Sequence, residues 1–233
     1  MTIKGPLIHA KFIERPNRFI TIIEIDGIQY RSHLPDPGRL KELLIPDADL
    51  MVRKAPASSE RQTQYSTVMV KHKGQLISLV SSLPNQFVKE ALEQKKLSMF
   101  KSFTLIRPEI SVGSHRFDFL LIDHQENKFY LEVKSVTFVK NGVAQFPDAV
   151  TERGAKHALA LKGLVESGER AGILFVCQRS DATSFRPMWE RDPKLAQAVL
   201  TASQAGVKVW CITLNVSESE MTFCKEIPVN LAL

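Results

Sequence analysis

Cysteine is scarce in this chain of 233 residues, and its three cysteines form no recognisable pattern. Cys177, Cys211 and Cys224 are odd in number and lack the Cys-x-x-Cys spacing of a thiolate metal site. The sequence therefore suggests neither a disulfide framework nor a cysteine-ligated metal. We expect the three thiols to be reduced residues of the core.

Long apolar segments are absent as well. No apolar run approaches the roughly 20 residues that a membrane-spanning helix needs. Residues 1–19 lack the apolar segment and the small-residue cleavage site of a signal peptide. The sequence therefore predicts a cytoplasmic protein with no membrane partner.

Positive charge is in excess of negative charge. The chain carries 31 Lys and Arg residues against 25 Asp and Glu residues, a formal net charge of +6. This balance favours a polyanionic partner such as nucleic acid, although a merely basic surface gives the same count. With 44% hydrophobic residues, the chain can build the core of one large domain or of two modest ones.

Residues 1–82 have the pattern of short strands. Apolar and polar residues alternate in several segments, and Asp26-Gly27 between two of them is a hairpin signal. A segment with turn residues at 35–38 is followed by a short stretch, 39–44, that is compatible with a helix. Five or six strands interrupted by one short helix predict an OB-like β-barrel, although a β-sandwich gives the same pattern.

Residues 83–233 alternate between helices and strands. Helical spacing predicts helices at about 84–97, 148–168 and 193–206, and strand patterns lie at about 103–111, 115–123, 128–139, 171–178, 207–216 and 221–229. This order predicts a mixed sheet with helices on both faces. The expected fold class is therefore α/β (α+β), with a barrel domain at 1–82 and a mixed-sheet α/β domain at 83–233.

Two charged residues interrupt the apolar strand at 128–139. Glu132 and Lys134 are two residues apart, so both project from one face. Asp118 lies on the preceding strand, and a hairpin turn near 124–127 would place it roughly opposite residues 130–135. Two carboxylates repel each other unless a cation lies between them, and Mg²⁺ (or Mn²⁺) prefers oxygen ligands.

These three residues predict a phosphodiesterase site. Asp118 and Glu132 would be the metal ligands with the Val133 carbonyl, and Lys134 would orient or help deprotonate a water. Asp followed by (Glu/Asp)-x-Lys on the next strand is the pattern of the PD-(D/E)xK nuclease superfamily, whose core order the second domain resembles. The catalytic prediction is therefore Asp118, Glu132 and Lys134.

The short motif alone is weak. The same spacing occurs at Glu93 to Lys95, Glu126 to Lys128 and Asp192 to Lys194, in helical or turn contexts. The alternative for Glu132 and Lys134 is a solvated strand face with a cross-strand ion pair, worth about 0.2–1 kcal/mol.

The helix after this strand supplies further candidates. Thr151, Arg153 and His157 lie near its predicted start, where a helix favours phosphate, and the last two lie one turn apart on one face. Alternatively, Arg153 and His157 belong to the solvated side of an amphipathic helix. Asp148 is expected to be an N-cap rather than a metal ligand.

Four segments resemble the sugar fermentation stimulation protein (SfsA) family: "LPDPGRLKELL", "RFDFLL", "YLEVKSVT" and "FPDAVTERGAKH". The resemblance runs from about residue 7 to 230. It implies an OB-like barrel, a nuclease-like second domain, DNA binding and a link to sugar (maltose) utilisation. It also implies site roles for Asp118, Glu132 and Lys134, and for a helix that carries Thr151, Glu152, Arg153 and His157.

The resemblance extends to the loop at 35–39. The family often has Pro-Asn-Thr-Gly there, whereas this chain has Pro35-Asp36-Pro37-Gly38, which casts doubt on a phosphate contact by this loop. Gly38 is expected to have a positive φ, and Arg39 to face the cleft between the domains. The predicted nucleic-acid contacts are Arg39, Arg116, Thr151, Arg153 and His157. Glu90 is a candidate for an extra acid at the metal site, with an ordinary surface helix residue as the favoured alternative, and Glu109 is a comparable candidate.

Two functions remain open at this point. One is a Mg²⁺-dependent nuclease acting on DNA, single-stranded DNA or RNA. The other is a non-catalytic, largely sequence-nonspecific DNA-binding regulator, since no helix-turn-helix signature is present. An enzyme acting on small sugars is disfavoured because the chain has no Gly-x-Gly-x-x-Gly, P-loop or histidine-rich motif. Homo-oligomer formation is left open.

Overall fold

The computed structural model of the protein describes residues 1–56 and 62–232. Within these ranges, no helix combines the length and apolarity that crossing a membrane requires. The described residues form a barrel followed by a mixed-sheet domain.

The N-terminal part is a closed barrel. Its strands, in chain order, are β1 (Ile8–Asn17), β2 (Ile20–Ile25), β3 (Ile28–His33), β4 (Asp49–Lys54), β5 (Tyr65–His72) and β6 (Gln75–Ser78). The strand order is β3-β2-β1-β4-β5-β6, and a parallel pairing of β3 with β5 closes the first five strands into a barrel. This closure confirms the predicted OB-like barrel and excludes the sandwich.

The β2–β3 hairpin forms where its local sequence predicts it. Asp26 and Gly27, the two residues between the strands, have φ angles of 51° and 76°. Positive φ at both positions is the geometry of the type I′ turn, which Asp-Gly adopts readily.

The short helix expected at 39–44 is absent, so this prediction was wrong. The segment forms turns, and Leu40 has a φ of 52°, which no right-handed helix allows. Leu40 and Leu43 are fully buried in the barrel core. Packing of these two side chains overrides the helical propensity of the segment.

The second domain is built on a six-stranded sheet. Its elements, in chain order, are α1 (Leu83–Glu93), β7 (Thr104–Val112), β8 (His115–Ile122), β9 (Lys128–Val136), β10 (Val139–Lys140), β11 (Val143–Phe146), α2 (Glu152–Glu166), β12 (Arg170–Cys177), β13 (Ser184–Pro187), α3 (Pro193–Gln204), β14 (Lys208–Val216) and β15 (Met221–Ile227). The order in the sheet is β15-β14-β12-β9-β8-β7, with β9, β12 and β14 parallel and the other neighbours antiparallel. The predicted mixed sheet is confirmed.

A second, small sheet was not predicted from the sequence. It has the order β10-β11-β13 and combines an antiparallel with a parallel pairing. Its strands are two to four residues long, too short for a periodic pattern.

Helices cover both faces of the large sheet, as predicted. One core cluster joins α1 to residues of β9, β12 and β14 and to the barrel strands β4 and β5, whereas the other joins α2 and α3 to the opposite face. The barrel and the second domain therefore share one apolar core. The domain boundary at residue 82 stays a prediction; β6 ends at Ser78 and α1 begins at Leu83.

The three cysteines are free, as expected. Cys177 and Cys211 are fully buried, and Cys224 is half-buried on β15. Burial raises the pKa of the Cys177 thiol to about 12, so this residue is an unreactive part of the core.

Candidate functional site

Glu132 lies in the middle of the large sheet. It sits on β9 opposite Ile173 of β12, and it is 3% exposed. Its Oε1 atom accepts hydrogen bonds from Lys134 Nζ and from His157 Nδ1, the latter at 2.6 Å. Its Oε2 atom is buried without a hydrogen-bond partner among the described residues. One carboxylate oxygen is therefore anchored, and the other is available to a ligand.

Asp118 is held beside this strand by two hydrogen bonds. The β8–β9 ladder ends at Phe119 opposite Leu131, so Asp118 and Glu132 are the next residues beyond its end. Beyond the ladder, Asp118 Oδ2 accepts from the Val133 backbone N–H at 2.7 Å, and Oδ1 accepts from Asn85 Nδ2 at 2.6 Å. The Asp118 carboxylate thus replaces a backbone carbonyl as the acceptor for the Val133 N–H, at the point where the two strands cease to pair.

The two carboxylates influence each other. Burial, and next the charge of Glu132, raise the pKa of Asp118 to about 6, against the opposing hydrogen bond from the Val133 N–H and the charge of Lys134. Burial also disfavours ionisation of Glu132, but hydrogen bonds from His157 and Lys134 and the Lys134 charge outweigh it and lower the pKa of Glu132. At neutral pH both acids carry charge in a largely desolvated place.

This pair of acids fits a divalent cation. Glu132 Oε2 has no hydrogen-bond partner among the described residues, and the pKa of Asp118 is raised. Both features are expected of a site that binds a positive charge. No three side chains of His, Cys, Asp and Glu converge as a metal cluster within residues 1–56 and 62–232. A metal here would therefore complete its shell with backbone oxygen, water or substrate oxygens, which suits Mg²⁺.

α2 contacts this site through His157, which lies near its N-terminal end. His157 was predicted to contact nucleic acid, but it is 7% exposed and bonded to Glu132. Arg153 Nε donates to His157 Nε2 at 3.4 Å, while the rest of the Arg153 side chain is exposed. Thr151 is the N-cap of α2 and accepts from the Gly154 N–H at 3.1 Å.

The remaining predicted residues lie apart from the acids. Arg39 is exposed and lines a cleft between the barrel and the second domain. Arg116 is exposed on the β7–β8 hairpin, with its Nη1 3.7 Å from Glu109 Oε2. Glu90 Oε2 lies 3.6 Å from the amino group of Met1. Neither Glu90 nor Glu109 builds a three-ligand cluster with the site acids in the described part of the chain.

Two buried aspartates hold the loop at 35–40, and one of them, Asp148, belongs to the second domain. Asp36 is 5% exposed and its Oδ1 accepts from the Gly38 N–H at 2.7 Å. Asp148 Oδ2 accepts from the Leu40 N–H at 2.6 Å, and its Oδ1 accepts from Arg191 at 2.5 Å. The Asp36 carboxylate therefore points into the protein and fixes the loop.

Two predictions about this region were wrong. Asp148 is not the N-cap of α2, because Thr151 has that role and Asp148 bonds Leu40 instead. Gly38 does not have a positive φ; a Cβ at Gly38 would instead lie 2.9 Å from Asp36 Oδ1 and 3.1 Å from Asp148 Oδ2. Close approach of two carboxylates, not backbone conformation, requires glycine there.

Sequence reasoning missed the contacts that orient the site. Asn85 near the start of α1 and the inward orientation of His157 depend on how two helices pack against the sheet. No spacing rule connects residues 85 and 118. The one signal in the sequence was that Asn85 is a polar residue in the first turn of the helix that precedes β7, β8 and β9.

Two family models match the chain. The model "SfsA N-terminal OB domain" matches residues 13–79, and the model "Sugar fermentation stimulation protein RE domain" matches residues 82–220. The two matches together cover the barrel and most of the second domain.

Curated relatives and a solved structure agree with these models. The chain is 42% identical to a sugar fermentation stimulation protein homolog of Clostridium novyi over 209 residues, 90% of this chain and 91% of the relative. It is 40% identical to the Acetivibrio thermocellus homolog over 232 residues, 98% and 99% of the two chains. SfsA of Pyrococcus furiosus, solved in complex with Ca²⁺, has a TM-score of 0.88 at 25% identity, with 99% and 98% of the two chains covered.

Proposed function

Because the chain belongs to the sugar fermentation stimulation protein (SfsA) family, we propose that it is a divalent-metal-dependent phosphodiesterase that acts on nucleic acid. One observation carries the proposal: Glu132 has a buried, unpaired carboxylate oxygen on the strand next to half-buried Asp118. A protein that only bound a polyanion would have no need of a buried acid beside a half-buried acid in this position.

The acids and a backbone carbonyl would hold the metal. Asp118, Glu132 and the Val133 carbonyl supply hard oxygen ligands, the set that Mg²⁺ or Mn²⁺ prefers. The Ca²⁺ complex of the Pyrococcus furiosus relative supports a divalent cation in this family. When bound, the ion would polarise a phosphoryl oxygen and acidify a water.

The other side chains have distinct roles in the proposal. Lys134, whose side chain is 18% exposed, can hold a water for in-line attack and stabilise the developing negative charge. His157 and Asn85 are positioning residues, because each fixes one carboxylate through a hydrogen bond of 2.6 Å.

Nucleic acid is the proposed substrate because the chain is basic and carries an OB barrel. A formal net charge of +6 favours a phosphate backbone, and OB barrels bind oligonucleotides. The contacts proposed for nucleic acid are Arg39, Arg116, Thr151 and Arg153. DNA and RNA remain separate arms of the experiment.

The test compares cleavage by the wild type, Glu132→Gln and Lys134→Met on single- and double-stranded DNA and RNA in Mg²⁺, Mn²⁺ or EDTA. We expect metal-dependent cleavage that falls roughly 10²- to 10⁴-fold in each variant. Glu166→Gln and Lys162→Met are the matched controls, because these residues form a 2.6 Å ion pair on α2, away from the acids. Both controls should cleave like the wild type.

Absence of cleavage on every substrate would overturn the proposal. If binding to DNA persisted under those conditions, the chain would be a non-catalytic DNA-binding protein, and a role in regulating maltose utilisation would become the next hypothesis. Cleavage that persists in Glu132→Gln would move the active site elsewhere.

A further inference from the structure

A basic cleft lies between the barrel and the second domain. Its volume is about 930 Å³. Seven cationic side chains line it, against Glu190 as its one acidic residue among those described: Arg15, Arg18, Arg39, Lys41, Lys140, Arg186 and Arg191. Four of them belong to the barrel and its loop, and three belong to the second domain, so the two walls of the cleft carry the same sign of charge.

Three of these cations have hydrogen-bond or ion-pair partners inside the protein. Arg15 donates to backbone carbonyls of the 36–39 loop, Arg186 pairs with Glu190 at 2.7 Å, and Arg191 pairs with Asp148 at 2.5 Å. These contacts shape the walls of the cleft. They do not neutralise the other four cations.

Four cations have no ion-pair or hydrogen-bond partner for their side chains in the described ranges of the chain: Arg18, Arg39, Lys41 and Lys140. All four are exposed. Like charges repel each other, and they do so more strongly near a protein surface than in bulk water. A concave surface with four unpaired cations therefore favours an anion that contacts several of them together.

The basic cleft continues toward the candidate catalytic residues. A second cavity of about 270 Å³ shares six lining residues with it, including Gly38 and Val150. Its lining includes residues 135–137, which follow Lys134 in the chain at the end of β9, and residues 149–151, which precede α2. The two cavities therefore adjoin, and together they extend from the barrel to the residues that follow Lys134 in the chain, although Asp118, Glu132 and Lys134 themselves line neither cavity.

We infer that the basic cleft holds a single strand of nucleic acid, whose backbone runs along the unpaired cations toward Lys134. The cleft is concave, has a volume of about 930 Å³ and has walls from both domains, so a single strand can lay its phosphates along the four unpaired cations while its bases face the walls. Val150, which is 68% exposed, and half-buried Phe138, whose ring has the Arg191 guanidinium 5.4 Å from its centroid, offer apolar surface to bases. This inference rests on the proposed nuclease function and names its substrate class.

The experiment measures binding in EDTA, so that cleavage does not enter. Fluorescent oligothymidine and oligouridine of about 20 nucleotides and a blunt duplex of the same length are titrated with the wild type and with Arg39→Ala/Lys140→Ala. We expect the single strands to bind more tightly than the duplex. The double variant should lose tenfold or more in affinity for them, with a salt slope smaller by about 1.4, because each lost contact removes about 0.7 from the slope.

Lys101→Ala/Lys208→Ala is the matched control. It removes the same charge from two exposed lysines that do not line the cleft. Its affinity should equal that of the wild type, which shows that position and not net charge matters. A thermal melt checks folding, and Arg18→Ala/Lys41→Ala serves as the second cleft variant should the first be unstable.

The outcomes separate this inference from the proposed function. Tighter binding of the duplex, no binding of any oligonucleotide, or wild-type affinity in both cleft variants would overturn the inference. A wild type that binds single strands through the cleft and cleaves none of them would leave the inference intact and overturn the nuclease proposal. If the cleft variants bound and cleaved single strands like the wild type, the nuclease proposal would stand and this inference would be overturned.

Discussion

His157 Nδ1 lies 2.6 Å from Glu132 Oε1, which joins α2 to the central strand of the sheet. The other ring nitrogen accepts from Arg153 Nε at 3.4 Å, and an arginine N–H can only donate. The ring proton is therefore on Nδ1, and His157 donates it to the carboxylate. This arrangement leaves Glu132 Oε2 free to face a ligand.

Removing His157 should weaken metal binding. His157→Ala loses the hydrogen bond that helps lower the pKa of Glu132, so Mn²⁺ affinity measured by calorimetry at pH 7.5 should fall about 10- to 100-fold. His157→Asn retains a donor near the Nδ1 position and should restore most of that affinity. Equal affinities in the alanine and asparagine variants would show that only packing matters at this position.

Asn85 should set the pH range of metal binding. Burial first, and then the Glu132 charge, raise the pKa of Asp118 to about 6, while the Asn85 hydrogen bond opposes them. A protonated carboxyl group cannot bind the ion, so Mn²⁺ affinity should fall as the pH drops through about 6. In Asn85→Ala this midpoint should move to higher pH.

Gln86→Ala is the control for Asn85, because Gln86 is the next residue on α1 and is exposed. Its pH midpoint should match that of the wild type. A midpoint in Asn85→Ala at or below the wild-type value would contradict the assigned role of Asn85.

The parts of the fold that sequence predicted are those fixed by local patterns. The Asp26-Gly27 hairpin and the β9 strand follow from turn chemistry and apolar runs. Register across the β8–β9 hairpin similarly brings Asp118 beside Glu132. The turn at 39–44 was mispredicted because burial of Leu40 and Leu43 in the barrel outweighs local propensity.

The contacts that orient the site could not be predicted in the same way. The Asn85–Asp118 and His157–Glu132 bonds join residues 33 and 25 positions apart on different elements. Their geometry depends on the placement of two helices on opposite faces of the sheet. A pattern on one chain segment carries no information about that placement.

Asp36 should make stability depend on pH. Burial, and then the Asp148 charge, raise the pKa of Asp36 to about 6, against the Gly38 N–H bond and the Arg15 charge. The folded state then holds this proton more tightly than the unfolded state. Stability from this group is therefore full below about pH 4 and is lost as the pH rises through about 6.

Asp36→Asn removes this titration and still offers an acceptor to the Gly38 N–H. The free energy of unfolding of the variant, relative to the wild type, should rise by about 2–3 kcal/mol between pH 4 and pH 7.5. Urea unfolding at four pH values measures it. A difference that stays constant with pH would contradict the assignment.

Gly38→Ala should destabilise the junction between the two domains. The added Cβ would lie 2.9 Å from Asp36 Oδ1 and 3.1 Å from Asp148 Oδ2, and both carboxylates are buried and fixed by hydrogen bonds. Neither can retreat without breaking a bond to the backbone, so we expect a loss of about 1–3 kcal/mol in urea unfolding. Gly163→Ala is the matched control, because Gly163 is exposed within α2 and a Cβ there meets nothing within 4 Å. Alanine should stabilise that helix by about 0.5–1 kcal/mol, so the same substitution is expected to act with opposite sign at the two positions.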